Sequence, residues 1–174
     1  MSMVSKNILK KFENIKIVLT DVDGVLTDGG MYYTKDGDVM KKFFVRDGMG
    51  VTLLRKQGIP TMIVTKERNI ITKIWATKMK IKKIYQGITK KEEILEKVCK
   101  NYHVKAEEVA YIGDDINDLE LLRRVGLSVA PYDASEDAKK ISDYTCKHLS
   151  GNGAFRELAD LILFTQNNKH KKYS

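Results

Sequence analysis

Cysteine is scarce in this 174-residue chain. Cys99 and Cys146 are the only two, with no CxxC pair and no histidine at ligand spacing. That excludes a disulfide framework and a thiolate zinc site, and it suits a reduced, cytoplasmic protein. Proline is rarer than in most domains, at two residues, and the 12 glycines are evenly scattered. Nothing therefore marks an internal linker, boundary or repeat, and residues 1–174 read as a single domain. Long apolar runs are missing too. The N-terminal stretch "MSMVSKNILKKFENIKIVLT" is interrupted by charge throughout, and no later stretch approaches the roughly 18 apolar residues of a membrane span. No membrane partner is expected.

Acidic residues are outnumbered, 23 against 31 basic ones, for a net charge of +8. Such a balance attracts phosphate, whether on a polymer or on a small anion. The lysines are widely spread and no aromatic ladder for base stacking lies among them, so nucleic acid is not an expected partner.

Short β-rich runs alternate with amphipathic helical stretches. This is the pattern of βα units around a parallel sheet with helices on both faces, a Rossmann-like α/β fold. The runs predict strands over Ile15–Thr20, Thr61–Val64, Lys83–Tyr85, Val109–Ile112 and Leu127–Val129. "GMGVTLLRKQG", "KEEILEKVCKNY", "NDLELLRRVG" and "GAFRELADLILF" read as helices, with the "GMGV" and "GNGA" glycines in turns that precede them. One segment breaks the alternation: "GGMYYTKDGDVMKKFFV", about 29–46, predicts a projecting β-hairpin. Its aromatics (Tyr32, Tyr33, Phe43, Phe44) are too many for a hairpin solvated on both faces, which implies packing against something, a second subunit included. Trp75, among Ile71, Ile74 and Met79, reads as core or interface.

In an open α/β sheet ligands bind beyond the carboxyl ends of the strands. The polar residues there are Asp21 and Asp23 after the first predicted strand, Thr65 after the second, Lys90 after the third, and Asp114, Asp115 and Asp118 in "GDDIND" after the fourth. Carboxylates converging on one spot repel one another unless a cation lies among them, and an all-oxygen set suits Mg2+. With magnesium, Asp21 could serve as a nucleophile on phosphorus, Asp23 as acid and base, and Lys90 and Thr65 as donors to the phosphoryl oxygens. Asp118 reads equally as a first-turn helix charge or a residue near the metal, and Asp28 reads as a turn former.

"DVDGVLTD", "VTKERN", Lys90 and "GDDINDLE" resemble the four-motif signature of the haloacid dehalogenase superfamily of phosphatases. "DVDGVLTDGGMYY", "KKFFVRDGMG", "YIGDDINDLELL" and "GNGAFRELAD" are similar to its small capless subfamily of octulosonate 8-phosphate and nonulosonate 9-phosphate phosphatases, which also includes a domain of some acylneuraminate cytidylyltransferases. The resemblance implies a magnesium-dependent phosphatase of 2-keto-3-deoxy sugar-acid phosphates, working through an aspartyl-phosphate at Asp21. It implies a metal held by Asp21, the Asp23 carbonyl and Asp114, with Asp115 supporting its water shell, and a homotetramer built around the hairpin. It also makes Gly24, Arg46, Lys66, Glu67, Arg68, Lys78 and Arg156 candidate substrate-binding residues. Where octulosonate phosphatases carry Thr-Gly-Arg or Ser-Gly-Arg, this chain has Thr65-Lys66-Glu67-Arg68, which leans slightly towards the nine-carbon substrate; "LILFTQNNKHKKYS", with a tail over about 166–174, leans the other way. A non-catalytic domain of the same fold, kept for oligomerisation, is the alternative.

Overall fold

The computed structural model describes residues 6–172. In chain order its elements are α1 (Lys6–Glu13), β1 (Ile17–Thr20), β2 (Tyr32–Thr34), β3 (Gly37–Met40), α2 (Val45–Lys56), β4 (Thr61–Thr65), α3 (Ile70–Lys78) and β5 (Ile84–Gln86). They continue with α4 (Glu93–Tyr102), β6 (Val109–Ile112), α5 (Leu119–Arg124), β7 (Leu127–Ala130), α6 (Glu136–Ile141), β8 (Tyr144–Thr145) and α7 (Ala154–Lys172). Six strands form one parallel sheet in the order β5-β4-β1-β6-β7-β8. β1 is therefore central, with β4 and β6 on either side, and the residues after these three strands share one edge.

Alternation along each strand fills two cores. Val18 and Ile63 face α1, α2, α3 and α7, where Phe12, Leu54, Ala76, Phe155 and Leu158 are buried. Ile17, Leu19, Met62 and Tyr111 face α4, α5 and α6, where Ile94, Val98, Leu121 and Ala138 are buried. Each fully buried aliphatic side chain in these layers contributes about 1.5–3 kcal/mol.

The predicted α/β architecture is present, with differences at its margins. The hairpin is shorter than the 29–46 expected, because the backbone leaves β pairing after Met40 and α2 begins at Val45. The "GMG" glycines lie inside α2 rather than in a turn before it. A Cβ on Gly50 would stand 3.2 Å from that of Ala159, so Gly50 lets α2 lie close against α7. The expected tail is helical as far as Lys172, and Gln166 Nε2 donates to the Ile15 carbonyl at 2.8 Å; residues 173–174 lie outside the described residues. Nothing but the hairpin and its flanking loops separates β1 from α2, so no cap domain is inserted there. Phe43 stacks on Trp75, with centroids 4.6 Å apart. Tyr32 and Tyr33 remain 45% and 65% exposed.

Candidate active site

The apolar run of β1 carries the chain to the middle of the carboxyl edge and releases it at Asp21, whose N–H is still paired with the Ile112 carbonyl of β6 at 3.0 Å. The Asp21 carboxylate accepts the Val22 N–H at 2.7 Å and the Lys91 ammonium at 2.6 Å. The loop then curls so that the Leu26 and Thr27 N–H groups return to the Val22 carbonyl. This turn needs Gly24, at φ +85°: a Cβ there would stand 2.0 Å from Asp114 Oδ2. Gly24 thus contributes the room that lets Asp114, at the end of β6, reach the loop of β1.

One oxygen from each of Asp21, Asp114 and Asp118 lies within 4.8 Å of the others. Burial and the charge of Asp118 raise the Asp21 carboxyl to about 7 although Lys91 pulls it down. Burial, then the charges of Asp21 and Asp118, raise Asp114 to about 8. These two carboxyls hold protons where ordinary aspartates are ionised, which is the behaviour of a site built around a cation. Asp118 plays a different part. One of its oxygens takes Lys91 and the Tyr111 hydroxyl, and the other takes the Asp114 N–H at 2.9 Å and the Asp115 N–H at 3.3 Å. Its lone pairs are committed, so it orients Lys91 and the turn rather than a metal. Asp115 is exposed, and its carboxylate is outside the cluster.

The lysine is a correction. Lys90, the expected phosphoryl ligand, has a side chain 72% exposed and its Nζ 3.9 Å from Glu93. Lys91 is the buried one, 1% exposed, bridging Asp21 and Asp118 at 2.6 Å each. In the turn leading into α4, adjacent residues point in different directions, so only one of the pair faces the strand ends. Burial would lower the Lys91 ammonium, but the charges of Asp21 and Asp118 outweigh it and hold the group above its ordinary value.

Asp23 sits apart from the clustered carboxylates. Its Oδ1 accepts Lys41 Nζ at 2.6 Å and Thr27 Oγ1 at 3.2 Å, while Oδ2 is buried with no hydrogen-bond partner. Thr65 ends β4, buried, and its hydroxyl accepts the Glu67 N–H at 3.3 Å. It lies two residues beyond Ile63, the partner of Thr20, on the strand beside β1. Asp28 accepts the Gly30 N–H at 3.2 Å and pairs with Lys42 at 3.0 Å, as a turn former would.

Residues 59–158 match the family model described as haloacid dehalogenase-like hydrolase. The chain belongs to the haloacid dehalogenase-like hydrolases. Within that family it is 40% identical to the 3-deoxy-D-manno-octulosonate 8-phosphate phosphatase of Haemophilus influenzae, over 90% of this chain and 87% of the relative. A cobalt-bound structure of the Haemophilus influenzae phosphatase superposes with a TM-score of 0.88 at 39% identity, covering 90% of this chain and 92% of that one. A Moraxella catarrhalis octulosonate 8-phosphate phosphatase, solved with magnesium, phosphate and a KDO molecule, gives 0.90 at 35% identity, covering 97% and 98%.

This haloacid dehalogenase-like chain distributes the seven expected substrate residues over two cavities and three other places, Gly24 being in the loop after β1 against Asp114. Glu67 and Arg68 line a cavity of about 290 Å³ with Met31, Tyr33, Asp38 and Lys41, between the hairpin and the loop after β4. Arg46 and Arg156 line another, of about 810 Å³, over α2 and α7; none of the clustered aspartates lines it. Arg156 Nε there pairs with Asp160 at 2.8 Å. Lys66 is exposed at the start of the loop, and Lys78 is exposed in the last turn of α3, lining neither cavity. Sequence reasoning missed Lys41, Lys91, Thr27 and Tyr111. A signal for Lys41 existed: in extended backbone it shares a face with the apolar Phe43, two residues on.

Proposed function

We propose that this chain is a magnesium-dependent phosphatase that hydrolyses the phosphate monoester of a 2-keto-3-deoxy sugar acid through an aspartyl-phosphate on Asp21. The observation that carries the reading is the buried constellation of Asp21, Lys91, Asp114 and Asp118 at the carboxyl edge of β1 and β6. A purely structural domain gains nothing from crowding three carboxylates around one ammonium.

Asp21, Asp114 and the Asp23 carbonyl form an all-oxygen set that would hold magnesium, with the exposed Asp115 in a supporting role, and the ion would supply positive charge to the phosphoryl oxygens. The chain's own groups do the rest. Asp21 forms a bond to phosphorus as the ester P–O bond breaks, and Asp23 gives a proton to the departing alkoxide. Asp23 then takes a proton from a water that attacks the phosphorus and frees Asp21. Lys91 and Thr65 hold the phosphoryl oxygens. Phosphate-monoester hydrolysis needs a barrier reduction of about 20 kcal/mol or more, which only these groups acting together can supply.

The substrate's polar body fits the cavity lined by Glu67 and Arg68, which opens beside the Lys41 that holds Asp23. The relatives' names support the eight-carbon octulosonate 8-phosphate. Glu67, two residues after Thr65 where octulosonate phosphatases carry arginine, and lining that cavity, favours a second reading, the nine-carbon nonulosonate 9-phosphate. We further propose a single-domain cytoplasmic enzyme assembled as a homotetramer through the hairpin, whose Met31, Tyr33, Val39 and Met40 are all at least 45% exposed. A patch of that kind is characteristic of an interaction surface. The test is kcat/KM for both keto-acid phosphates and for glucose 6-phosphate. A preference for one keto acid over glucose 6-phosphate supports the reading and names the carbon number; equal rates on all three would refute it.

A further inference from the structure

The Lys41 side chain is 1% exposed, yet it ends among charges. Its Nζ lies 2.6 Å from Asp23 Oδ1 and 3.2 Å from Asp38 Oδ2. Asp38 Oδ2 also accepts Asn69 Nδ2 at 3.0 Å. Asn69 caps α3 by accepting the Ile71 N–H at 2.7 Å, and its carbonyl accepts Gln86 Nε2 at 3.0 Å. One polar chain thus runs from the loop of β1, through the hairpin, to the loop after β4 and the end of β5.

Burying an ammonium carries a desolvation penalty of several kcal/mol, and a well-packed apolar residue would anchor a hairpin as well or better. The ion pair therefore calls for a reason other than stability. Asp23 supplies one. Lys41 and Thr27 both bind its Oδ1, and Oδ2 is left buried without a partner. The carboxylate is clamped through Oδ1, and Oδ2 is enclosed in protein beside it.

We infer that Lys41 is a positioning residue for the acid/base aspartate: it clamps Asp23 through Oδ1 and so fixes the orientation of its carboxylate, and it makes that orientation depend on the seating of the hairpin. This deepens the phosphatase reading and rests on it. Lys41 lines the cavity assigned to the substrate's body, but its ammonium is already taken by Asp23 and Asp38, so its effect travels through Asp23. Proton transfer demands the acid within hydrogen-bond reach of the departing oxygen, and loss of such help costs about 10²–10⁴-fold.

The test compares kcat/KM of the wild type, Lys41→Met and the charge-balanced Lys41→Met/Asp38→Asn on two esters: the faster keto-acid phosphate, whose alkoxide must be protonated, and p-nitrophenyl phosphate, whose phenolate leaves without a proton. The inference predicts about a hundredfold loss (the lower end of that range) on the alkyl ester, with a loss several-fold smaller on the aryl ester and the magnesium half-saturation unmoved. The double variant carries the comparison if Lys41→Met does not fold, as judged by circular dichroism. Equal losses on both esters, or a lowered melting temperature with wild-type kcat/KM, overturns the inference and leaves the phosphatase reading standing. A wild type inactive on both esters overturns the two together.

Discussion

Replacing Lys91 by methionine keeps the side-chain volume and removes the ammonium held at 2.6 Å by both Asp21 and Asp118. Those partners are 7% and 0% exposed, so water cannot take its place. Removing one partner of a buried ion pair typically costs about 3–5 kcal/mol, because the other charge is stranded. For a chain of this size, at about 2–4 °C per kcal/mol, the melting temperature should fall by about 6–20 °C. Activity should fall further, by about 10²–10³-fold, which is the usual effect of deleting a donor aimed at developing charge. Acid should restore part of the lost stability, because protonation removes the stranded charge, and magnesium should do likewise. Neither should restore turnover. The control is Lys90→Met, whose side chain is 72% exposed and whose nearest carboxylate is 3.9 Å away; it should melt and turn over like the wild type. Thermal melts and phosphate release on both variants decide the matter. If Lys90→Met is inactive and Lys91→Met is not, the assignment of the site lysine is wrong.

Gly24→Ala should abolish activity and weaken magnesium binding by titration calorimetry, because its Cβ would stand 2.0 Å from Asp114 Oδ2 at a φ of +85°; a wild-type affinity would contradict the placement of Asp114. In the metal-free protein, Asp21 and Asp114 sit at about 7 and 8 against an ordinary 3.8. The folded state then holds protons that the unfolded chain releases, so these groups lower stability as pH rises from about 4 to 8. Magnesium should accordingly raise the melting temperature more at pH 8 than at pH 5, by about 5–10 °C at a hundredfold excess over Kd; a gain independent of pH would contradict the cluster. If the proposed tetramer forms through the hairpin, Val39→Asp and Met40→Lys, both at positions over half exposed, should leave the fold intact and lower the sedimentation coefficient to that of a smaller species; a wild type that sediments as a monomer, or a variant that sediments like a tetrameric wild type, would contradict that assembly.

The sheet was readable because its strands are short apolar runs buried on both faces, such as Val109–Ile112, where burial leaves little freedom of choice. β8, two residues in "SDYTC", carries no such signal and is held by pairing with β7. α2 begins at Val45, ahead of glycines that read as turn formers, because its packing against α7 outweighs propensity. In the site, strand ends located Asp21, Asp23, Asp114 and Thr65 by counting alone. Lys90 against Lys91 turns on the direction of one side chain in a turn, which spacing does not determine. Lys41 escaped because its partner Asp23 lies 18 residues back, across a hairpin whose closure no local pattern encodes.

The central claim is that Asp21 takes the phosphoryl group with magnesium present. The measurement is phosphate release from octulosonate 8-phosphate and nonulosonate 9-phosphate, with and without magnesium, by the wild type and by Asp21→Asn. Turnover of one of the two by the wild type, lost on removing magnesium and lost in Asp21→Asn, is the predicted result. Turnover that survives in Asp21→Asn, or none by the wild type on either substrate, would contradict it.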